Sequence, residues 1–309
     1  MVMIMKKPVK YFVVDAFTDS AFKGNPAVVC FLDDESKRDD AWVQSLAAEF
    51  NLPMTCFLVT ITKSNPLDPP RFILRWFTRF VEMDICGHAT LASAHTLFSN
   101  GLVGSSDTVE FSTQSGILTA KKVPLNDGEA KEESFLIELS LPLITTCEYN
   151  SNDVSMFSKA LSGATIFDIR GTTTASTVSK ALNGVAKAAS TDKIIGVLPT
   201  WESVIELQPR MDDISKCPGK MLIVTAAAPQ GSTYDFISPK IGVDESPVCG
   251  SAHCALAHYW STLKMNKSDF FAYAASPRSG KVKVHFDKEK ERVLLSCKAV
   301  TVMEGTVLV

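Results

Sequence analysis

The sequence predicts an α+β fold of two similar halves, each with strands wrapped around one central helix. Three observations predict it. The decapeptide CGHATLASAH at 86–95 returns as CGSAHCALAH at 249–258, with six of ten positions identical. The elements around the two copies follow a similar order, strands before the helix and strands after it. The length, 309 residues, is enough for two domains or for one domain of two like halves.

The elements follow in order. KYFVVDAFTDSAFKGNPAVVCFL (10–32) is rich in β-branched and aromatic residues and broken at Gly-Asn-Pro, which predicts two strands and a turn. DDAWVQSLAAEFNL (39–52) places Trp42, Leu46, Ala47 and Phe50 at helical spacing. TCFLVTIT and RFILRWFT read as strands around the loop SNPLDPP. The first CG helix over 86–98 is followed by the strands TVEFSTQSGILTAKKV and SFLIELSLP, separated by the polar loop NDGEAKEES. In the second half, helical patterns occur near 153–162 and 176–189. KIIGVLPT, GKMLIVTAA and STYDFISP read as strands. The second CG helix follows, then strands near 281–286, 292–299 and 301–308. This divides the chain into an N-terminal lobe over 1–125, completed by a C-terminal strand over 298–309, and a C-terminal lobe over 126–297.

Composition narrows the function. The chain is 46% apolar and 21% charged, ordinary for a soluble globular protein. A net charge of −3 argues against nucleic acid, which calls for a basic face. Apolar runs such as MLIVTAAA are too short to span a bilayer, so no membrane association is expected. The opening MVMIMKKPVK lacks a long apolar stretch and a small-residue cleavage site, so no signal peptide is expected. Eight scattered cysteines are read as reduced thiols in the cytoplasm.

The repeat carries the chemistry. In each copy Cys and Gly precede a helix whose first N–H groups have no partner within it. Such a terminus carries roughly half a positive charge, which attracts carboxylates and favours a nearby thiolate. Gly87 and Gly250 let the backbone come close to a ligand. A lone Cys-Gly pair is usually a packed thiol; the repetition is what points to chemistry at Cys86 and Cys249. Two such thiols suit proton removal from one face of a carbon and return from the other, one as thiolate base and one as thiol acid. His88 sits where an imidazole could donate to a substrate oxygen or act as an acid or base. Ser251 could donate to an anion or cap the helix, and Asn25, in GNP, could offer its amide. His95 and His258 lie deeper and read as packed, hydrogen-bonded residues. Cys249/His253 and Cys254/His258 have the i, i+4 spacing of metal ligands, but no third and fourth ligand lies nearby in sequence, so no metal is expected.

VVDAFTDSAFKGNPAVV, EFNLPMTCFL, LRWFT, DICGHATLASA, GVDESPVCGSAH and EGTVLV together resemble the phenazine-biosynthesis (PhzF-like) family over almost the whole chain. The resemblance implies the diaminopimelate-epimerase fold: two pseudo-symmetric lobes, each a curled, mostly antiparallel sheet around a central helix, with the active site between them. It also marks two departures. PhzF-like isomerases use a glutamate in a segment like NLSET, where this chain reads NLPMT, with Met54 in the glutamate's place. They carry an acidic residue in a stretch like EDPVTGSA, where this chain reads ESPVCGSA, with Ser246 in that place. In diaminopimelate-epimerase-like enzymes the acid and base are two cysteines, each followed by Gly at a central helix start, and Cys86 and Cys249 fall on those positions.

The sequence therefore predicts a cofactor-independent isomerase or epimerase that moves a proton next to a carboxylate of a small acid. Cys86, Cys249 and His88 are its catalytic residues; Asn25, Gly87, Gly250 and Ser251 bind the substrate. The alternative, motivated by Met54 and Ser246, is a non-catalytic binding or regulatory module. Family members often pair, which leaves a homodimer open.

Overall fold

The structure is a computed structural model that describes residues 8–33, 39–61, 65, 67–125, 135–149, 153–173, 193–219, 221–239 and 248–308. Ser246, the helical pattern near 176–189 and the loop at 126–134 lie outside the described residues. The chain forms two compact units, Met1–Ser140 with Ser296–Val309, and Leu141–Leu295. Each is a mixed α+β body with a large curled sheet and few helices.

In the first unit, β1 (Val9–Ala16) pairs antiparallel with β2 (Asn25–Leu32) on one side and with β17 (Ala299–Val307) on the other. β2 runs parallel to β3 (Thr55–Ile61), which pairs antiparallel with β4 (Arg71–Phe77). β4 carries the two-residue β5 (Glu82–Met83) and runs parallel to β6 (Thr108–Thr113). β7 (Gly116–Pro124) and β8 (Phe135–Pro142) continue the sheet antiparallel.

β1, β2 and β3 are buried along most of their length on both faces, and two helices pack on this part of the sheet. α1 (Asp40–Phe50) starts where the Asp39 carboxylate accepts the Trp42 N–H at 2.7 Å, an N-cap that satisfies an otherwise unpaired donor. It lays Val43, Leu46 and Ala47 on Val28, Cys30, Phe57 and Val59. α2 (Gly87–Ser99) packs against β1, β2, β3 and β17. From Gly87 to Phe98 every residue of α2 except His95 is buried, polar side chains included. Its small residues, Ala89, Ala92 and Ala94, allow the close approach. Thr90, Ser93 and Thr96 turn their hydroxyls back onto the carbonyls four residues before, so no buried hydroxyl among them is left unpaired.

In the second unit, β9 (Thr145–Glu148), β10 (Asp168–Thr173) and β11 (Lys193–Val197) pair antiparallel in turn. β11 runs parallel to β12 (Met221–Ala227), and β12 antiparallel to β13 (Phe236–Pro239). β14 (Asp269–Ala275) is parallel to β13 and antiparallel to β15 (Gly280–Asp287); β16 (Arg292–Cys297) follows in the chain. The short helices α3 (Val154–Ala160), α4 (Trp201–Ile205) and α5 (Met211–Ile214) give Phe157, Val204 and Ile214 to a core with Ile194, Leu222 and Val224. α6 (Gly250–Tyr259) packs against β9 and β15 and runs on into a π-helical turn, Trp260–Met265. Trp260 Nε1 donates to Thr225 Oγ1 at 3.2 Å, and that hydroxyl donates to the Ile237 carbonyl at 2.7 Å, which ties the π turn to two strands.

Candidate active site

Both CG sequences start helices, and they do so in the same way. Cys86 is the N-cap of α2 with φ −147° and ψ 103°; Cys249 is the N-cap of α6 with φ −111° and ψ 111°. Neither thiol caps its helix. Gly87 and Gly250 are buried first residues of their helices, and neither has the left-handed backbone that favours glycine. Each Sγ instead meets the side chain two residues on. Cys86 Sγ lies 3.2 Å from Nδ1 of His88, and Cys249 Sγ lies 3.3 Å from Oγ of Ser251. Cys86 is buried and Cys249 partly exposed.

His88 is 5% exposed. Burial pushes its pKa down to about 4, against a smaller opposing pull from the Pro26 carbonyl, so the ring is neutral at pH 7. Among the described residues no group meets its Nε2 at hydrogen-bond geometry. Pro26 follows Asn25, the fully buried first residue of β2, in register with Ala16 of β1. Gly24 sets this corner. Its φ is +63°, and a Cβ there would lie 2.1 Å from the Ala16 carbonyl oxygen.

Met54 is buried just before β3, and its carbonyl accepts the Val28 N–H at 2.9 Å. Two residues on, Cys56 Sγ donates to the Ala89 carbonyl in the first turn of α2 at 3.5 Å. Strand alternation therefore puts Met54 on the α2 side of β3. A thioether has no proton to move, so this position supplies no acid or base.

The remaining histidines are occupied. His95 Nε2 contacts Thr301 Oγ1 at 3.1 Å, and His258 Nδ1 accepts the Thr146 N–H at 3.2 Å. His253, 1% exposed, places Nδ1 2.8 Å from the Cys249 carbonyl. Burial also raises the thiols of Cys30, Cys56, Cys147, Cys217 and Cys254, that of Cys254 to about 12, which keeps them protonated at neutral pH. Among the described residues no three His, Cys, Asp or Glu side chains gather as metal ligands, and no helix is long and apolar enough to cross a membrane.

Reading from sequence missed Gly24, whose left-handed turn sets the Asn25 corner, and the second contact on each cysteine, made by Thr90 and His253. The signal was there, since both are the fifth residue of the repeat.

The family model described as phenazine biosynthesis-like protein matches residues 14–305. The chain belongs to this family. A relative from Halalkalibacterium halodurans, named an uncharacterized isomerase, is 37% identical over 96% of this chain and 97% of its own length. The crystal structure of a PhzF-family protein from Enterococcus faecalis superposes with a TM-score of 0.78, at 30% identity, over 98% of this chain and 100% of that one. A hydroxyproline epimerase from Agrobacterium vitis shares the fold, with a TM-score of 0.58 at 10% identity over 99% of this chain and 92% of that one. The phenazine biosynthesis-like chain is thus built on the fold of epimerases and has relatives named as isomerases.

Proposed function

We propose that this protein is an isomerase of the epimerase type that moves a proton next to a carboxylate of a small acid, without a cofactor. The observation that carries the reading is the twin geometry of Cys86 and Cys249. Each is an extended N-cap before a buried glycine, with its sulfur against a polar side chain two residues on. The helix N-terminus beside each thiol attracts a carboxylate. One thiolate takes the proton and the other thiol returns one to the opposite face, so the proton count balances over a turnover. His88 Nε2 and Ser251 Oγ are side-chain groups able to bind substrate oxygens, with Asn25 as a further polar group of the site. Relatives named as isomerases support the reaction class.

The test needs no known substrate. Small 2-amino and 2-hydroxy carboxylates are incubated with the chain in D2O, and exchange at the carbon next to the carboxylate is followed by NMR. Exchange is expected with at least one acid, and Cys86→Ser or Cys249→Ser should each slow it by about 10² or more. Exchange unaffected by either change would overturn the reading.

Met54 favours a second reading. A buried methionine where PhzF-like isomerases carry a glutamate fits a chain that binds small acids without turning them over. Saturable binding of a carboxylate, unchanged in both serine variants and with no exchange at any pH, would select it.

A further inference from the structure

The two copies of the decapeptide differ at their third and fifth residues in a related way. The first has His88 and then Thr90; the second has Ser251 and then His253. An imidazole and a hydroxyl have changed places, yet the contacts are kept. The third residue meets Sγ in both copies. The fifth meets the cysteine carbonyl twice. Thr90 brings its N–H to the Cys86 oxygen at 3.0 Å and its hydroxyl at 2.7 Å. His253 brings its N–H to the Cys249 oxygen at 3.2 Å and Nδ1 to 2.8 Å.

A backbone N–H on the carbonyl four residues before is ordinary helix geometry. The second bond is not required by the helix; it takes the remaining lone pair of that oxygen. A threonine does this readily, as Ser93 and Thr96 also do further along α2. A histidine at the same place is the more telling case, because its ring is bound at both ends. A carbonyl can only accept, so Nδ1 carries the proton and Nε2 is left as an acceptor, 3.4 Å from Oγ of Ser238 on β13. Ser238 and His253 are both buried. The Phe236 ring lies between His253 and Trp260, 6.3 Å from the first and 5.7 Å from the second, centre to centre. A side chain cap satisfies N–H groups. Here the carbonyl is restrained instead, and no thiol claims the N–H groups of the helix end.

We propose that Thr90 and His253 are positioning residues, each clamping the carbonyl of the cysteine four residues before it and fixing the extended backbone from which that thiol is presented. Ser238 in turn orients His253. The inference rests on the reading of Cys86 and Cys249 as the working thiols. Its role is geometric: a displacement of about 1 Å at a reacting group can cost about 10² in rate.

The test is the rate of iodoacetamide labelling at each cysteine of the full chain, read by peptide mass spectrometry. Thr90→Val should change the Cys86 rate by about threefold or more and leave Cys249 alone, with Thr90→Ser restoring it. His253→Leu should do the same to Cys249 and not to Cys86, and His253→Asn, whose amide can reach the place of Nδ1, should restore it. Labelling of the buried Cys30, Cys56 or Cys254 would mark an unfolded variant; Thr90→Ala and His253→Gln then stand in. Unchanged rates in folded variants, or no recovery in the Ser and Asn variants, would overturn the inference while leaving the functional reading intact. In the unsubstituted chain, Cys86 and Cys249 reacting no faster than the partly exposed Cys147 and Cys217 would overturn both.

Discussion

Cys86 and His88 form a buried thiol–imidazole contact, Sγ to Nδ1 at 3.2 Å, in which the ring is neutral at pH 7 and its far nitrogen has no hydrogen-bond partner among the described residues. The contact sits in the first turn of a helix buried nearly all round, with Cys86 9% and His88 5% exposed. The imidazole is held in a state it would lose on unfolding, and this has a consequence for stability.

The folded pKa of His88, about 4, lies below the ordinary value of 6.5, so the unfolded chain binds a proton first as pH falls. Stability from this group is complete above pH about 6.5 and is lost as pH falls through that value toward 4. The loss should reach about 3 kcal/mol. Urea unfolding at pH 7, 5 and 4 measures it: His88→Asn should remove this share of the difference and leave the part from His95, which burial also pushes down to about 4, and from the likewise lowered His253 and His258. An equal pH slope in the variant would place the acid sensitivity elsewhere.

Gly24→Ala should cost about 2 kcal/mol or more, because the backbone is left-handed and the new Cβ meets the Ala16 carbonyl at 2.1 Å. Gly101 has nearly the same φ, +65°, with nothing within 4 Å of a Cβ. Gly101→Ala should therefore cost only about 1 kcal/mol. Comparing the two by chemical denaturation separates the collision from the conformational cost.

Met54→Leu should cost less than about 1.5 kcal/mol, a change of shape within an apolar site. Met54→Glu should cost about 2 kcal/mol or more at pH 7, since a carboxylate would be buried there. Its penalty should shrink at pH 5 as the acid is protonated. A glutamate variant as stable as the parent at pH 7 would mean that the polar partners of the family's carboxylate are still in place.

Thr225→Val removes the acceptor of the Trp260 indole N–H and the hydroxyl that donates to the Ile237 carbonyl, all in the core. A loss of about 2 kcal/mol is expected, read by thermal unfolding. Thr225→Ser keeps both bonds and should recover most of it. A Thr225→Val variant as stable as the parent would mean that the two bonds of this hydroxyl add nothing to stability.

Much of this was legible in the sequence, and for identifiable reasons. The helix starts at Cys86 and Cys249 stand out because the repeat preserves the residues that begin a buried helix, Cys-Gly followed by small side chains. α1 was legible because Trp42, Leu46 and Phe50 keep helical period and Asp39 is a good cap. β10 and β14 were not read. DIRGTT has two charges, a glycine and threonines where a strand pattern is sought, and DFFAYAA runs nearly all apolar without the alternation of a half-buried strand. The expected strand over STYDFISP shortens to β13, because Ser232 and Asp235 spend their side chains on the Tyr234 and Phe271 N–H groups. The clamp on each cysteine carbonyl was invisible because it depends on which way Thr90 and His253 turn their side chains. Composition and period carry no information about that.

The pairing of β1 with β17, from Val9 opposite Val307 to Ala16 opposite Ala299, also bears on how the protein is made. A ribosome emits β1 first, yet its partner emerges only after nearly three hundred further residues. The unit that holds Cys86 is thus begun early and finished last, while Leu141–Leu295 can complete its own contacts beforehand. During translation β1 keeps an unpaired edge that could pair with a neighbouring nascent chain. Shielding of that edge in the cell becomes part of how the fold is reached.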